Sequence, residues 1–308
     1  MARSIIAVFT TTLALGGCAG VLFGAPISVP NNSFESPVTP FVSLNVDSWQ
    51  KAPMPDGYGD TNSWNTLVGL FKNDPPGMAD HIDNCDGNQA IWLFVVPQAA
   101  LFQDYDSIDW RSPEPGHAFD ATFEVGKSYQ LTVGISAPGG AMPQGVTMEL
   151  SLYYRDTASN LVAVAATSIT NTVSIFITNT HFIDFQVGLP MVRPTDPWAG
   201  QHIGIQMLST VDPLVSVPDL SYWDLDNVRL TSTLEPVLQR PAWANNYYQF
   251  TLQSEPGLAV EILSASDLTL PRSNWTSLGI LTNISGTTPF SDTAASTQPR
   301  YYCARRLP

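Results

Sequence analysis

Val146, Met148, Leu150, Leu152 and Tyr154 put an apolar side chain on every second residue, with Thr147, Glu149, Ser151, Tyr153 and Arg155 between them. Only an extended strand sends alternate residues to opposite faces, so this stretch predicts a half-buried strand. The same period recurs at Tyr129, Leu131, Val133 and Ile135, and at Val173, Ile175 and Ile177. It returns at Ile183, Phe185, Val187 and Leu189, and again at Ile203, Ile205 and Met207. Ala90 to Val96 is a continuous apolar run ending at Pro97, the pattern of a strand buried on both faces. No segment between residues 27 and 232 carries a helical period. The chain is therefore all-β. Eight or more evenly spaced strands, with long loops early on, predict a jelly roll or related β-sandwich.

Tyr222 to Leu230 closes the series out of step. Trp223 and Leu225 are apolar at odd positions, Val228 and Leu230 at even ones. A change of phase within one strand requires a bulge or bend, here near Asp226-Asn227. Asp224 and Asp226 lie beside the strand's own core positions, and carboxylates so placed must be compensated. A bound cation is one way.

Beyond this strand, Leu234 to Trp243 contains Pro236 and Pro241 and reads as a linker, placed at 233–245. Residues 246–308 form a second, smaller β unit, with a core built on Tyr248, Phe250, Ile262, Trp275, Phe290 and Tyr302. The N-terminus reads as an export signal over residues 1–25: Arg3 is followed by an apolar run, Ile5 to Leu15, too short to span a bilayer comfortably. Leu15-Gly16-Gly17-Cys18 has the form of a lipobox, which would lipidate Cys18; ordinary cleavage between Gly17 and Ala25 stands as the alternative. Either route places the protein outside the cell or in its envelope, and any membrane contact would run through Cys18. Cys85 and Cys303 fall in different units and read as unpaired. The net charge of −14, with three lysines, excludes nucleic acid and anionic membrane surfaces as partners.

Three landmarks, Asn32-Ser33-Phe34-Glu35, Asp86-Gly87-Asn88-Gln89-Ala90 and Asp226-Asn227-Val228-Arg229-Leu230, carry a family likeness. In this order and spacing, residues 27–232 resemble the galactose-binding-like jelly roll of carbohydrate-binding modules. The calcium-dependent cyanobacterial cyclases that make indole alkaloids share the same landmarks. The resemblance implies a structural Ca²⁺ held by the carboxylates of Glu35 and Asp226. Backbone carbonyls from around Ser33 and from Asp83 to Gly87 would complete a shell of six to eight hard oxygens. Pro256-Gly257, Asn274-Trp275, Phe290-Ser291-Asp292 and Arg300-Tyr301-Tyr302 resemble a small immunoglobulin-like module found at the C-terminus of exported bacterial proteins.

The resemblance implies sugar binding, in which aromatic rings stack on pyranose faces beside amides and carboxylates. Tyr153 and Glu149, on the polar face of the 146–155 strand, are candidates, with Trp110 and the outward-facing Asp224. Asp224 also matches by position the acid of the cyclases, although no indole pocket can be assigned. A hydrolase would need two carboxylates at a defined separation, for which Glu149 with Asp184 or Asp224 are the available residues. Gly-x-Ser-x-Gly, His-Glu-x-x-His and phosphate-loop patterns are absent. The sequence thus favours an exported, non-catalytic glycan binder on a calcium-stabilised jelly roll. An enzyme on that scaffold, or a purely structural envelope protein, stands as the alternative.

Overall fold

A computed structural model describes residues 24–56, 58–137, 142–178, 180–213, 221–244, 247–294 and 300–307. The export signal and Cys18 lie outside the described residues. Short strands open the fold: β1 (Ala25–Ile27), β2 (Val42–Ser43), β3 (Gln50–Lys51), then one helical turn, α1 (Thr61–Asn65). Next come β4 (Val68–Lys72), β5 (Gln89–Phe94), β6 (Ala100–Gln103), β7 (Lys127–Ser136) and β8 (Thr147–Arg155). β9 (Leu161–Thr170), β10 (Ile183–Leu189), β11 (Gly204–Ser209) and β12 (Tyr222–Leu234) follow. The last elements are β13 (Val237–Ala244), β14 (Tyr247–Gln253), β15 (Ala259–Ala265), β16 (Thr276–Thr282), β17 (Thr287–Asp292) and β18 (Tyr301–Arg306).

The first compact unit comprises Pro26–Val125 and Tyr129–Ser232. It is a jelly-roll sandwich. One sheet runs β10-β7-β12-β5-β4-β2, with β1 also on β12; the other runs β3-β6-β11-β8-β9. The alternation read from the sequence sets what each sheet buries. Leu131, Val133 and Ile135 of β7, and Met148, Leu150 and Leu152 of β8, are fully buried in one core. Ile205 and Met207 of β11 join them. Each such side chain contributes about 1.5–3 kcal/mol on leaving water. In β12 the phase change is real: Asn227 adopts φ 54°, and Trp223, Leu225, Val228 and Leu230 all reach the core on either side of it.

One strand expectation is corrected. Residues 173–177 form no strand: 173–175 are a turn, with the Phe176 N–H bonded to Thr172 O at 2.9 Å, and Val173 and Ile177 are exposed. Three alternating apolar residues are too few to hold a strand that finds no sheet partner. β9 takes that place in the order, although its small-residue run, Val162-Ala163-Val164-Ala165-Ala166, shows no alternation.

The second compact unit comprises Gly126–Ser128 and the chain from Thr233 onward. It contains two three-stranded antiparallel sheets, β13-β14-β17 and β16-β15-β18. Phe250, Leu252, Val260 and Ile262 form its core, with Tyr248, Phe290 and Tyr302 packed against them. Trp275 stands outside that cluster, its indole N–H on Leu270 O at 3.1 Å. The segment read as a linker is largely strand β13. Pro241 is tolerated because β13 is an edge strand, bulged between Gln239 and Ala242.

Candidate functional site

Two carboxylates far apart in sequence converge on the loop Cys85–Gln89, which leads into β5. Glu35 Oε1 accepts the backbone N–H groups of Asn88 at 2.8 Å and Gln89 at 2.7 Å. Asp226, at the bulge of β12, accepts the Asp86 N–H on Oδ2 at 2.6 Å and the Asn227 N–H on Oδ1 at 2.7 Å. Between them Gly87 sits at φ +100°, and a Cβ there would lie 2.5 Å from Glu35 Oε1. Conformation and space both require glycine.

Asp226 is completely buried. Burial pushes its carboxyl up to about 7, overcoming the N–H groups of Asp86 and Asn227 and the Cys85 thiol, which act to lower it. Burial, then the charge of Asp226, pushes the Cys85 thiol up, so it stays protonated. Among the described residues no ion pair involves Glu35 or Asp226. An uncompensated buried carboxylate is costly, and a divalent cation would remove that cost.

The donor set fits a hard cation: two carboxylates, no histidine, and a sulfur that holds its proton. Among the described residues no group of three or more His, Cys, Asp or Glu side chains is placed to hold a metal. The rest of a shell would therefore come from carbonyls. Ser33 lies in the turn at residues 30–33. The Asp83 carboxylate is 70% exposed and 3.9 Å from His81 Nε2, while its N–H bonds Thr180 O. Only its carbonyl remains as a ligand candidate.

A second constellation lies in the loop after β6. Its first residue, Asp104, is buried and accepts from Arg155 Nε at 2.8 Å, from the Tyr153 hydroxyl and from the Asp106 N–H. Further along, Asp109 Oδ2 accepts the Ser48 N–H at 3.0 Å and pairs with Arg111. Trp110 is 53% exposed, yet its indole N–H is fixed to the buried Asp47 at 2.7 Å, and Arg111 both pairs with Asp47 and lies over the indole. The loop and the end of β6 enclose a cleft of about 170 Å³, lined among others by Gln103, Asp104, Ser107, Asp109, Arg111 and His117. Gln103 is buried at the cleft; its Nε2 donates to Pro30 O and Ser48 O, while Oε1 has no partner. Two arginines serve three aspartates: Arg111 pairs with both Asp47 and Asp109, and Arg155 with Asp104, while Glu114 also lines the cleft. The cleft thus offers oriented polar groups in which carboxylates outnumber arginines, and the exposed Trp110 lies in sequence between its lining residues Asp109 and Arg111.

Sequence reasoning selected Trp110 but missed Gln103, Asp104, Asp109 and Arg111. The run Asp109-Trp110-Arg111, an acid and a base flanking an aromatic in a polar loop, was the available signal. Tyr153, expected on an open polar face, is instead 1% exposed. Its ring lies across Gly204, where a Cβ would come within 2.2 Å of it, and its hydroxyl serves Asp104. It presents no face to a ligand. Glu149 is half-buried on β8 opposite Leu208 of β11.

Asp224, expected to face outward, is buried. It sits on the opposite sheet from Glu149, paired in register with Trp92. Burial pushes its carboxyl well up, and Oδ1 has no partner. Asp184 is half-exposed and paired with Arg229. Glu149, Asp184 and Asp224 do not form a hydrolytic pair.

No family model matches the chain, and no curated protein does. Among solved structures, a cyclase from Fischerella sp. TAU is similar over 70% of this chain and 100% of its own, at 19% identity and TM-score 0.48. The CBM22-2 xylan-binding domain of Xyn10C from Paenibacillus barcinonensis is similar over 62% of this chain and 94% of its own, at 13% identity and TM-score 0.33. A CBM4 structure is similar over 67% and 99%, at 11% identity and TM-score 0.30. Likenesses this distant establish neither ligand nor reaction.

Proposed function

We propose that this is an exported, non-catalytic binder of neutral glycans, acting through the cleft beside Trp110. The observation that carries the reading is the loop after β6: an exposed indole, locked in orientation by Asp47, next in sequence to Asp109 and Arg111, which line a small polar cleft. A sugar needs an apolar face for its C–H surface and oriented donors and acceptors for its hydroxyls. It needs no net charge. The chain's −14 further disfavours anionic polysaccharides. A glycan array probed with the full chain, with and without chelator, tests the proposal. Binding to neutral glycans that is lost in Trp110→Ala supports it; an array blank in both conditions refutes it.

Within the same reading, Glu35 and Asp226 hold a structural Ca²⁺ with carbonyls of the 85–87 loop and the 30–33 turn. Bound there, the ion would supply positive charge between the first and last strands of the jelly roll. Export rests on the N-terminal sequence, and lipidation at Cys18 would tether the protein to the envelope. The two small sheets of the C-terminal unit support an immunoglobulin-like appendage.

A second reading rests on Asp224. Its carboxyl is buried with Oδ1 unpartnered, and burial favours the protonated form, the form a general acid needs. That favours an acid-promoted reaction on this sheet, of the kind the cyclase resemblance implies. Loss of turnover in Asp224→Asn, on an indole-bearing substrate that the wild type converts, would establish it.

A further inference from the structure

We infer that the loop from Val38 to Leu44 is a lipid-contacting tip. It seats its side chains in the interface of a neutral phospholipid bilayer, independently of any lipid at Cys18.

The first observation is exposure. Val38 is 86% exposed, Phe41 75%, Val42 48% and Leu44 44%. They surround β2, which ends the strand order of the first sheet. Burial of large apolar side chains drives folding, so a run of them left in water marks a contact surface. From their fractional exposures they show about 400 Å² together, at the level of the largest apolar patch on an ordinary monomer.

The second is how the loop is built. Pro37 and Pro40 have no N–H to satisfy. The Thr39 N–H donates to Gln89 Oε1 at 2.6 Å, and the Phe41 N–H to Thr39 Oγ1 at 3.3 Å. Thr39 Oγ1 in turn donates to Val42 O at 2.9 Å. Pro37 O accepts from Gln89 Nε2 at 3.2 Å, and Phe41 O accepts the Lys72 N–H at 2.8 Å. Thr39 and Gln89 are both buried. The loop is thus braced from within, and what it presents outward is hydrocarbon. A strand-adding protein partner would need free backbone groups at this edge. A bilayer needs the reverse, polar backbone already satisfied.

The third is charge. From Ser36 to Val46 the chain has no ionisable side chain, although the protein as a whole carries −14. On β4, the strand paired with β2, the charged residue is the exposed Lys72, whose N–H holds Phe41 O. An ammonium at the base of an apolar tip suits the phosphate level of a bilayer. The overall negative charge directs the tip to zwitterionic rather than anionic lipid.

Area decides against a second copy of the chain. A stable protein interface buries about 800 Å² on each partner, twice what this patch offers. A bilayer sets no such minimum, because side chains partition into it one by one.

The test is co-sedimentation of the mature chain with phosphatidylcholine vesicles, in a Cys18→Ser background so that no acyl group contributes. Binding is expected, and Val38→Ser and Phe41→Ser should each weaken it about tenfold, the worth of one apolar side chain leaving lipid. Val173→Ser, at an exposed apolar residue of the turn after β9, should leave it unchanged. No binding to phosphatidylcholine, or binding that Val38→Ser and Phe41→Ser leave intact, would overturn the proposal. Binding that appears only when phosphatidylglycerol is added would overturn the neutral-lipid assignment, and a loss in Val173→Ser would move the contact to that turn. Sedimentation equilibrium reads the other occupant: a dimer dissolved by Phe41→Ser, with no vesicle binding, would overturn the proposal in favour of a second copy.

Discussion

Removing calcium should make the jelly roll less stable as pH rises, against the usual trend for carboxylates. The perturbation is titration of Asp226 in the chelated protein. Its carboxyl is pushed from an ordinary 3.8 to about 7 in the folded state by burial. The native state therefore holds a proton that the unfolded chain releases. Below about pH 4 both states are protonated and the full stability is present. As pH rises toward about 7 the unfolded state loses its proton first and gains in relative stability. At about 1.4 kcal/mol per pKa unit the loss across this window approaches about 4 kcal/mol. Urea unfolding in chelator at a series of pH values measures it. The exposed carboxylates Asp60 and Asp156, held below their ordinary range by hydrogen bonds, act in the opposite direction, so the informative quantity is the difference from Asp226→Asn. Calcium should abolish the decline in the wild type and leave Asp226→Asn unaffected. A wild-type curve in chelator that parallels the Asp226→Asn curve would refute the account of this carboxylate.

Other outcomes follow from the same geometry. Gly87→Ala imposes a left-handed backbone on alanine and drives its Cβ into Glu35, and should cost about 2–4 kcal/mol and weaken calcium stabilisation, as read by thermal melts with and without the ion. Gly204→Ala meets the Tyr153 ring and should cost about 1–3 kcal/mol in urea unfolding; adding Tyr153→Leu should recover part of it, and simple additivity of the two would contradict the contact. Asp224→Asn should raise stability at neutral pH more than at mildly acid pH, because burial of the carboxyl disfavours its charged form. The same variant should bind glycan like the wild type, and a loss of binding would move the site to that sheet.

The strand framework was legible because its signal is local. In β7, β8, β10 and β12 each apolar residue reports its own face, and the phase slip at Asp226-Asn227 marks where Asn227 takes a positive φ. β9 was not legible: alanines and valines on consecutive positions fit an edge strand without announcing a face. Residues 173–177 alternated without becoming strand, since pairing partners are a property of the whole sheet. The convergence of Glu35 and Asp226 on one loop came through motif resemblance, not periodicity. Tyr153 failed for a different reason. Its polar neighbours on β8 suggested an open face, but the loop after β6 crosses back to place Asp104 on its hydroxyl, a contact 49 residues away in sequence. The cleft is assembled from side chains whose partners are equally distant, Ser48 with Asp109 and Asp47 with Trp110. Its lining is nearly local, residues 103–119 with Ser48 added, but the contacts that hold that loop in place are not.

The central claim, that the jelly roll binds glycan at the Trp110 cleft, is tested most directly by mapping amide and indole resonances of the isotope-labelled chain during titration with a neutral oligosaccharide. The account predicts that the Trp110 indole N–H and the amides of Ser48, Ser107 and Ile108 shift first and saturate together. Shifts centred on Trp92, Tyr222 and Asp224, with the Trp110 indole silent, would contradict it.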